Sequence, residues 1–368
     1  MSLYQRLLKR LDWHLLLSVF GLIIIGLIIL YSASFDQTTN PANALTFMWK
    51  QLFALSLGLI LMWVMLSIDY HLFEKYAEVI YIIMLGFLLL VIGIGHTATG
   101  AQRWLHLGMF SIQPSEMAKL ALLVILAKYL SARSQPIQSL FDILPLLGLT
   151  LIPFVLIFKQ PDLGTSLIFI FLFFTMQLWA GTQPLLLLLL ASPLISIAIL
   201  FGIPHFAWLF WVLYLIGILM LMHYRTVNLV DSAVFFISNV LTAIVSPVLW
   251  NTLKFYQQQR LLGFLNPAID PLGQSTRYHA TKSVIAIGSG GFWGQGYLNG
   301  PLTHLQYIPE HHTDFIFTVI GEEFGLIGAV LVLLLFGYIL IRAIHIATNA
   351  QDKFGSILAA GIASLLAL

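Results

Sequence analysis

WHLLLSVFGLIIIGLIILYS, residues 13–32, holds no Asp, Glu, Lys or Arg from end to end. Crossing roughly 30 Å of hydrocarbon takes about 18 or more apolar residues in a helix, and this run is long enough. No water inside the bilayer can satisfy exposed N–H and C=O groups, so such a run must be helical. It is also too long for a signal-peptide core and lacks a small-residue cleavage site, so it reads as a first membrane helix and internal start signal. Outward from it, apolar runs recur near 46–67, 76–95, 116–131, 142–158, 163–180, 184–201, 206–222, 229–250 and 314–341, and another starts at 355. The fold expected is all-α and integral to the membrane, a polytopic helical bundle of about ten to twelve transmembrane helices.

Composition agrees. Of 368 residues, 60% are hydrophobic and 9% charged, against roughly 25% charged in a soluble domain, too few to cover a water-facing surface. A net charge of +2 gives no reason to expect a nucleic-acid partner; membrane lipids surround the chain instead. No cysteine is present, which excludes disulfides, thiolate catalysis and cysteine-based metal sites.

The chain reads as a single transmembrane domain over 1–368 with one long polar stretch, 251–313, and a shorter polar loop at 96–115. Basic residues beside membrane helices favour the cytoplasm. Arg6, Lys9 and Arg10 precede the first span, so the N-terminus is expected inside. Alternation then puts Lys75, Lys128, Arg133, Arg225, Arg342 and Lys353 on that side and makes 251–313 an extracytoplasmic loop. The final run, GSILAAGIASLLAL at 355–368, is short for a span, so the C-terminus reads as incomplete.

Charges at membrane depth cost on the order of 2.5–3.5 kcal/mol each and therefore need a partner, water or a use. Glu116 and Lys119, at i and i+3, share a helix face and can pair. Their pairing either locks two helices together or forms the polar floor of a substrate cavity. Asp162, in KQPDLGTS, suits an N-cap of the following helix, facing the amides near Gly164 and Thr165. Asp231 sits near a span start, close to interfacial water. The densest cluster is PEHHTDFIFTVIGEEFG, 309–325, where Glu310, His311, His312 and Asp314 enter a helix carrying Glu322 and Glu323. At about 100° per residue Glu322 falls roughly 80° from Asp314 and Glu323 on the opposite side, so at most one of them shares a wall with Asp314. Asp314 also suits a cap. Adjacent His311 and His312 point apart and make a poor metal pair, and the zinc-enzyme spacing HExxH is absent. In the long loop, YHATKSVIAIGSGGFWGQGYLNG (278–300) carries glycines that allow tight turns or close backbone approach to a ligand. Arg260, Arg277, His279 and Lys282 there are of the type that meets phosphate; neither a P-loop nor a dinucleotide fingerprint is present.

Together GAQRWL (100–105), QPSEMAK (113–119), QPDLGTS (160–166), NPAIDPLG (266–273), IAIGSGG (285–291) and PEHHTDFIFTVIGEEFG (309–325) resemble, in this order, the SEDS family. The GYLNG…LQYIPE stretch looks more like the family's elongation members than its division members. The resemblance implies a peptidoglycan glycosyltransferase of the bacterial cytoplasmic (inner) membrane that polymerises lipid II at the outer face, with a class B penicillin-binding protein as partner. It implies that Asp314 is essential, and it places Glu116, Lys119 and Asp162 at family motif positions. On that basis Asp314 is expected to take the proton of the acceptor hydroxyl. Arg103, Arg260, Arg277 or Lys282, with or without a divalent cation (magnesium or manganese), would meet the diphosphate. Three features depart from the family pattern. Residues 202–250 look like an insertion with two extra spans. Lys282 stands where glutamine is usual, and a PLxSYGGS-like motif is absent from the C-terminal part. A lipid II flippase and a membrane scaffold for cell-wall enzymes are the competing readings.

Overall fold

The computed structural model describes residues 11–35, 42–94, 96–98, 101–107, 110–160, 162–202, 206–225, 228–252, 258, 278–300 and 313–368. Seven described helices are long and apolar enough to cross a membrane, and shorter apolar helices accompany them. The chain is a multi-pass membrane protein. Its exposed surface shows why: Trp49, Phe53, Ile60 and Trp63 stand outside on one helix whose membrane window buries nothing within the chain, as lipid-facing side chains do. The chain divides into two compact units, 1–69 with 267–345 and 70–266 with 346–368.

In the first unit, α1 (Trp13–Ser34) packs on α2 (Ala42–Ser67). Asp12 caps α1, its Oδ1 accepting from the Leu15 amide at 3.0 Å. The same carboxylate receives Arg342 at 2.5 Å, which pins the start of the first helix. α11 (Tyr278–Ser289) lies within the stretch expected as loop and packs on α12 (Ile316–Glu323), which in turn packs on α1. The single span expected over 314–341 is therefore two helices: α12 stops at Glu323, and α13 (Gly325–Thr348) starts anew.

The break has a clear cause. Gly325 takes a left-handed φ of 64°, a conformation that an L side chain resists. The residues after α11 then supply the hydrogen bonds that the two helix ends lose. Gln295 and Gly296 amides donate to the Glu322 and Glu323 carbonyls, both at 3.0 Å, while the Leu326 amide donates to the Gly291 carbonyl at 3.0 Å. A broken helix is tolerated at membrane depth when protein satisfies its freed backbone groups in this way. The contact is so close that a Cβ on Gly290 would lie 2.0 Å from the Gly321 oxygen, and one on Gly294 2.1 Å from the Glu323 oxygen. These two glycines serve backbone-to-backbone packing within the chain, a use beyond the tight turns or ligand approach expected from the sequence.

The second unit comprises α3 (His71–Lys75), α4 (Ala77–Ile94), three strands, α5 (Pro114–Ser131), α6 (Leu140–Lys159), α7 (Leu163–Trp179), α8 (Pro184–Gly202), α9 (Ala207–Tyr224), α10 (Leu229–Thr252) and α14 (Lys353–Ala367). The helix α5 is its axis, packed by α4, α6, α7 and α14. Leu122, Leu123, Ile125, Leu126, Phe169 and Phe173 form the buried centre. Gly361 of α14 comes so near α5 that a Cβ would stand 2.8 Å from the Leu123 side chain, the small-residue approach common between membrane helices. α8, α9 and α10 share a satisfied polar set: Trp211 Nε1 donates to Ser196 Oγ at 3.0 Å, Ser196 to Asn239 Oδ1 at 2.6 Å, and Asn239 Nδ2 to Ser192 Oγ at 2.8 Å. Asp231, expected at the water boundary, is buried in the first turn of α10.

The stretch 96–115 amends the all-α expectation locally. It folds as a small antiparallel sheet, β1 (His96–Ala98), β2 (Ala101–Leu107) and β3 (Phe110–Ile112), in the order β1-β2-β3. Ala98 pairs with Ala101 and Leu107 with Phe110, so both connections are two residues long, the commonest hairpin length.

Candidate functional site

Arg103, Glu116, Lys119 and Asp162 fall at one end of the second unit, where α4 and α6 finish and α5 and α7 begin. Arg103 is a residue of β2, and the sheet leads through Gln113 into α5, whose N1 position is Pro114. Proline at N1 lacks only an N–H that would be unpaired there anyway. One turn on, Lys119 Nζ sits 2.7 Å from Glu116 Oε2. Lys119 is 8% exposed, whereas the Glu116 side chain is 55% exposed. The pair is thus internal to one helix and does not lock two helices together. It leaves a carboxylate facing outward over a buried ammonium.

Asp162 is the N-cap of α7, its Oδ1 accepting from the Thr165 amide at 3.2 Å. The turn before it is anchored by Gln160, a buried residue whose Nε2 donates to the Leu88 carbonyl at 3.2 Å. Gln160 escapes a reading based on charge, because a neutral amide gives no signal of membrane-depth cost. Its only sequence signal is its place in QPDLGTS.

The first unit holds Asp314, Lys282 and His279. Thr313, Asp314 and Phe315 form a turn before α12. Phe315 holds the cap position, with no side-chain cap bond, so the capping reading of Asp314 does not hold. The Asp314 side chain is exposed and makes no hydrogen bond or ion pair with the described residues. Below it the helix is buried without interruption from Thr318 to Glu323. Both glutamates are inside, Glu322 at 0% and Glu323 at 1% exposure, so neither shares an open wall with Asp314. Glu323 Oε1 accepts from the Ser32 hydroxyl of α1 at 2.5 Å, and Tyr297 donates to the Ile28 carbonyl at 3.2 Å. Burial raises the Tyr297 phenol above its ordinary value, with the Glu323 carboxylate adding to that. The result is an exposed carboxylate on a rigid, deeply held stalk. Lys282 is half-buried on α11, the helix packed against that stalk, and His279 lies one turn before it.

Arg260, Arg277, Glu310, His311 and His312 lie outside the described residues, as do the side chains of Arg103 and His279. Among the described residues no three His, Asp or Glu side chains group as metal ligands.

The three candidate carboxylates now differ in kind. Glu116 faces Lys119, Asp162 faces an amide, and Asp314 keeps its lone pairs uncommitted. A general base needs accessible lone pairs within reach of a proton, and Asp314 is the exposed candidate carboxylate with no partner among the described residues.

The FtsW/RodA/SpoVE cell cycle protein family matches residues 13–212 and 210–368. The peptidoglycan glycosyltransferase MrdB of Escherichia coli K12 is 34% identical over 358 residues, 97% of this chain and 81% of that protein. The peptidoglycan glycosyltransferase RodA of Treponema pallidum is 32% identical over 391 residues, 95% of this chain and 86% of that one. Among solved structures, a chain of a peptidoglycan synthase complex described as coordinating polymerization and crosslinking superposes with a TM-score of 0.64 at 28% identity. That match covers 97% of this chain and 84% of the other.

Proposed function

As the chain belongs to the FtsW/RodA/SpoVE family, matched across nearly its whole length, we propose that it is a peptidoglycan glycosyltransferase of cell elongation with Asp314 as general base. The observation that carries the residue assignment is the uncommitted Asp314 carboxylate at the head of buried α12. The relatives named peptidoglycan glycosyltransferase and the GYLNG…LQYIPE stretch support the activity and its elongation branch.

The substrate is lipid II, as both sugar donor and acceptor. Asp314 takes the proton from the 4-hydroxyl of the acceptor's terminal N-acetylglucosamine. The hydroxyl oxygen bonds to the anomeric carbon of the donor as the bond from that carbon to the diphosphate breaks. A single displacement inverts the centre, converting an α-linked donor into a β-1,4 link. Negative charge grows on the departing diphosphate, and Arg103, Arg260, Arg277, His279 and Lys282 are the groups suited to meet it. Glu116 and Lys119 supply a fixed polar floor on the second unit. A divalent cation, magnesium or manganese, would add positive charge at the diphosphate; no proton transfer here depends on one.

The protein sits in the bacterial cytoplasmic membrane with its N-terminus inside and its reaction at the outer face, a reading supported by the basic residues beside the spans. A class B penicillin-binding protein is its partner, supported by similarity to a chain of a synthase complex that joins polymerization to crosslinking.

Polymerisation of lipid II by the full-length protein with its partner, wild type against Asp314→Asn, tests this reading. Glycan chains from wild type and none from a folded variant support it. Equal chains from both remove Asp314 as base, and none from either returns the lipid II flippase and the membrane scaffold.

A further inference from the structure

At the end of the second unit away from Arg103, Glu116 and Asp162, the C-termini of α5 and α7 meet the N-terminus of α14. A cavity of about 210 Å³ opens there, with Arg133, Ser134, Trp179, Thr182, Lys353 and Ser356 in its lining. It is smaller than the roughly 300–1,000 Å³ of pockets that enclose a drug-sized molecule, a size for a small charged group. Two lining residues are cations and none is acidic.

Among the described residues, neither cation has a carboxylate oxygen within hydrogen-bond distance. Arg133 Nη1 stands 3.8 Å from Asp142 Oδ1, and its Nη2 donates to the Asp142 carbonyl at 2.9 Å. Among the described residues, Lys353 Nζ reaches the Arg133 carbonyl, at 3.5 Å. Asp142 is the carboxylate that Arg133 faces at that longer distance; two others are engaged elsewhere. Asp352 accepts from the Tyr70 hydroxyl and from the Gly355 amide at 3.0 Å, and Glu78 holds Lys128 at 2.6 Å. Asp352 already caps α14, so the attraction for an anion comes from the two side chains and not from the helix end.

The walls are formed in advance. Trp179 Nε1 donates to Ser356 Oγ at 3.1 Å, Ser356 donates to the Ala347 carbonyl at 2.7 Å, and Thr182 donates to Gln177 Oε1 at 2.7 Å. Trp179 closes an apolar helix, the level at which tryptophan marks the membrane–water boundary. A guanidinium and an ammonium beside a hollow that is part polar and part apolar at that level form an arrangement suited to a phosphate headgroup.

We propose that this cavity binds the phosphate of an anionic headgroup, with Arg133 and Lys353 as its two cations. The phosphate belongs either to an anionic lipid such as phosphatidylglycerol or to a soluble phosphate.

The test is native mass spectrometry of the full chain in micelles doped with phosphatidylglycerol or phosphatidylcholine, without and with excess inorganic phosphate. Wild type is compared with R133Q/K353Q. A basic residue near an anionic headgroup contributes roughly five-fold in binding, so the double variant should retain phosphatidylglycerol about 25-fold less well. Arg225→Gln removes an exposed cation that does not line the cavity and should retain it as wild type does. Ser134→Asp puts a carboxylate on an exposed lining residue without removing packing and should lose the lipid as well, which keeps the test decisive if the double variant does not fold. Retention of phosphatidylglycerol that resists phosphate assigns a lipid source. Phosphate binding without lipid preference, lost in the same variants, supports the site with a soluble source. Equal retention of both ligands by wild type, R133Q/K353Q and S134D overturns the proposal, as does a loss no greater than that of Arg225→Gln.

Discussion

Ser32 and Glu323, 291 positions apart, are joined by a hydrogen bond in which the Ser32 hydroxyl donates to Glu323 Oε1 at 2.5 Å, with both residues buried. The bond ties the first membrane helix to the foot of the short helix that presents Asp314. A buried acceptor that loses its donor keeps its desolvation cost. Ser32→Ala should therefore destabilise the protein by about 1–2 kcal/mol, the range spanning soluble and membrane hydrogen bonds. It should also lower polymerisation through the seating of α12. A thermal unfolding series in detergent, with an activity assay on the folded fraction, checks both. An unchanged midpoint would mean that packing of Ile29, Ala33, Val319 and Ile320 seats α12 without the bond.

The glycines around the broken helix separate into two classes that behave oppositely on substitution. On Gly290 and Gly294 a Cβ would meet backbone oxygen at 2.0 and 2.1 Å, and backbone cannot swing aside as a flexible side chain can. Gly290→Ala or Gly294→Ala should cost several kcal/mol, in the manner of core overpacking, with loss of folded protein on size exclusion. Gly288 has open space around its Cβ position and lies within α11, where alanine is favoured by about 1 kcal/mol over glycine. Gly288→Ala should leave the midpoint level or raise it. A stable Gly290→Ala variant would contradict the observed closeness of the two segments.

The membrane helices were legible because apolar length alone decides them: α1, α5, α6, α7 and α8 match the runs read from residues to within a few positions. The break at Phe324–Gly325 was not legible. EEFGLIG reads as continuing helix, and what ends it is a set of backbone donors and acceptors from 291–296 that no local pattern announces. Residues 278–289 read as loop because Gly, Ser and Lys dilute their apolar content, yet packing against α12 makes them a helix. The sheet at 96–112 carried a weak signal, alternation around two-residue turns, that a membrane reading passes over. At the site, the cap at Asp162 and the Glu116–Lys119 pair followed from spacing. Asp314 did not: locally it looks like a cap, and only its resemblance to a family motif pointed to chemistry.

Acid should weaken the anchor of the first helix. Burial alone would raise the Asp12 carboxyl, but hydrogen bonds from Arg342 and the Leu15 amide outweigh it and hold the group below its ordinary 3.8. A carboxyl depressed on folding adds stability that is present above its unfolded value and lost as pH falls through the folded one. The wild-type unfolding midpoint should therefore fall more steeply than that of Asp12→Asn as pH drops below about 4. Above that range the wild type should be the more stable of the two. Parallel curves for the two proteins would show that Asp12 carries no net stabilisation through its charge.

Asp162 allows structure and chemistry to be separated at a single position. As N-cap of α7 it supplies an acceptor for the Thr165 amide, 3.2 Å away, and asparagine fills that role as well as aspartate does. Asp162→Asn should hold the wild-type midpoint, and Asp162→Ala should lower it by about 1 kcal/mol, the ordinary loss of a cap. If capping is the whole role, polymerisation by the asparagine variant equals that of wild type. If the carboxylate also shapes the polar end of the second unit alongside Glu116 and Lys119, the asparagine variant keeps its stability and loses turnover. Stability and turnover measured on the same preparations distinguish these outcomes, because only the second role depends on the negative charge.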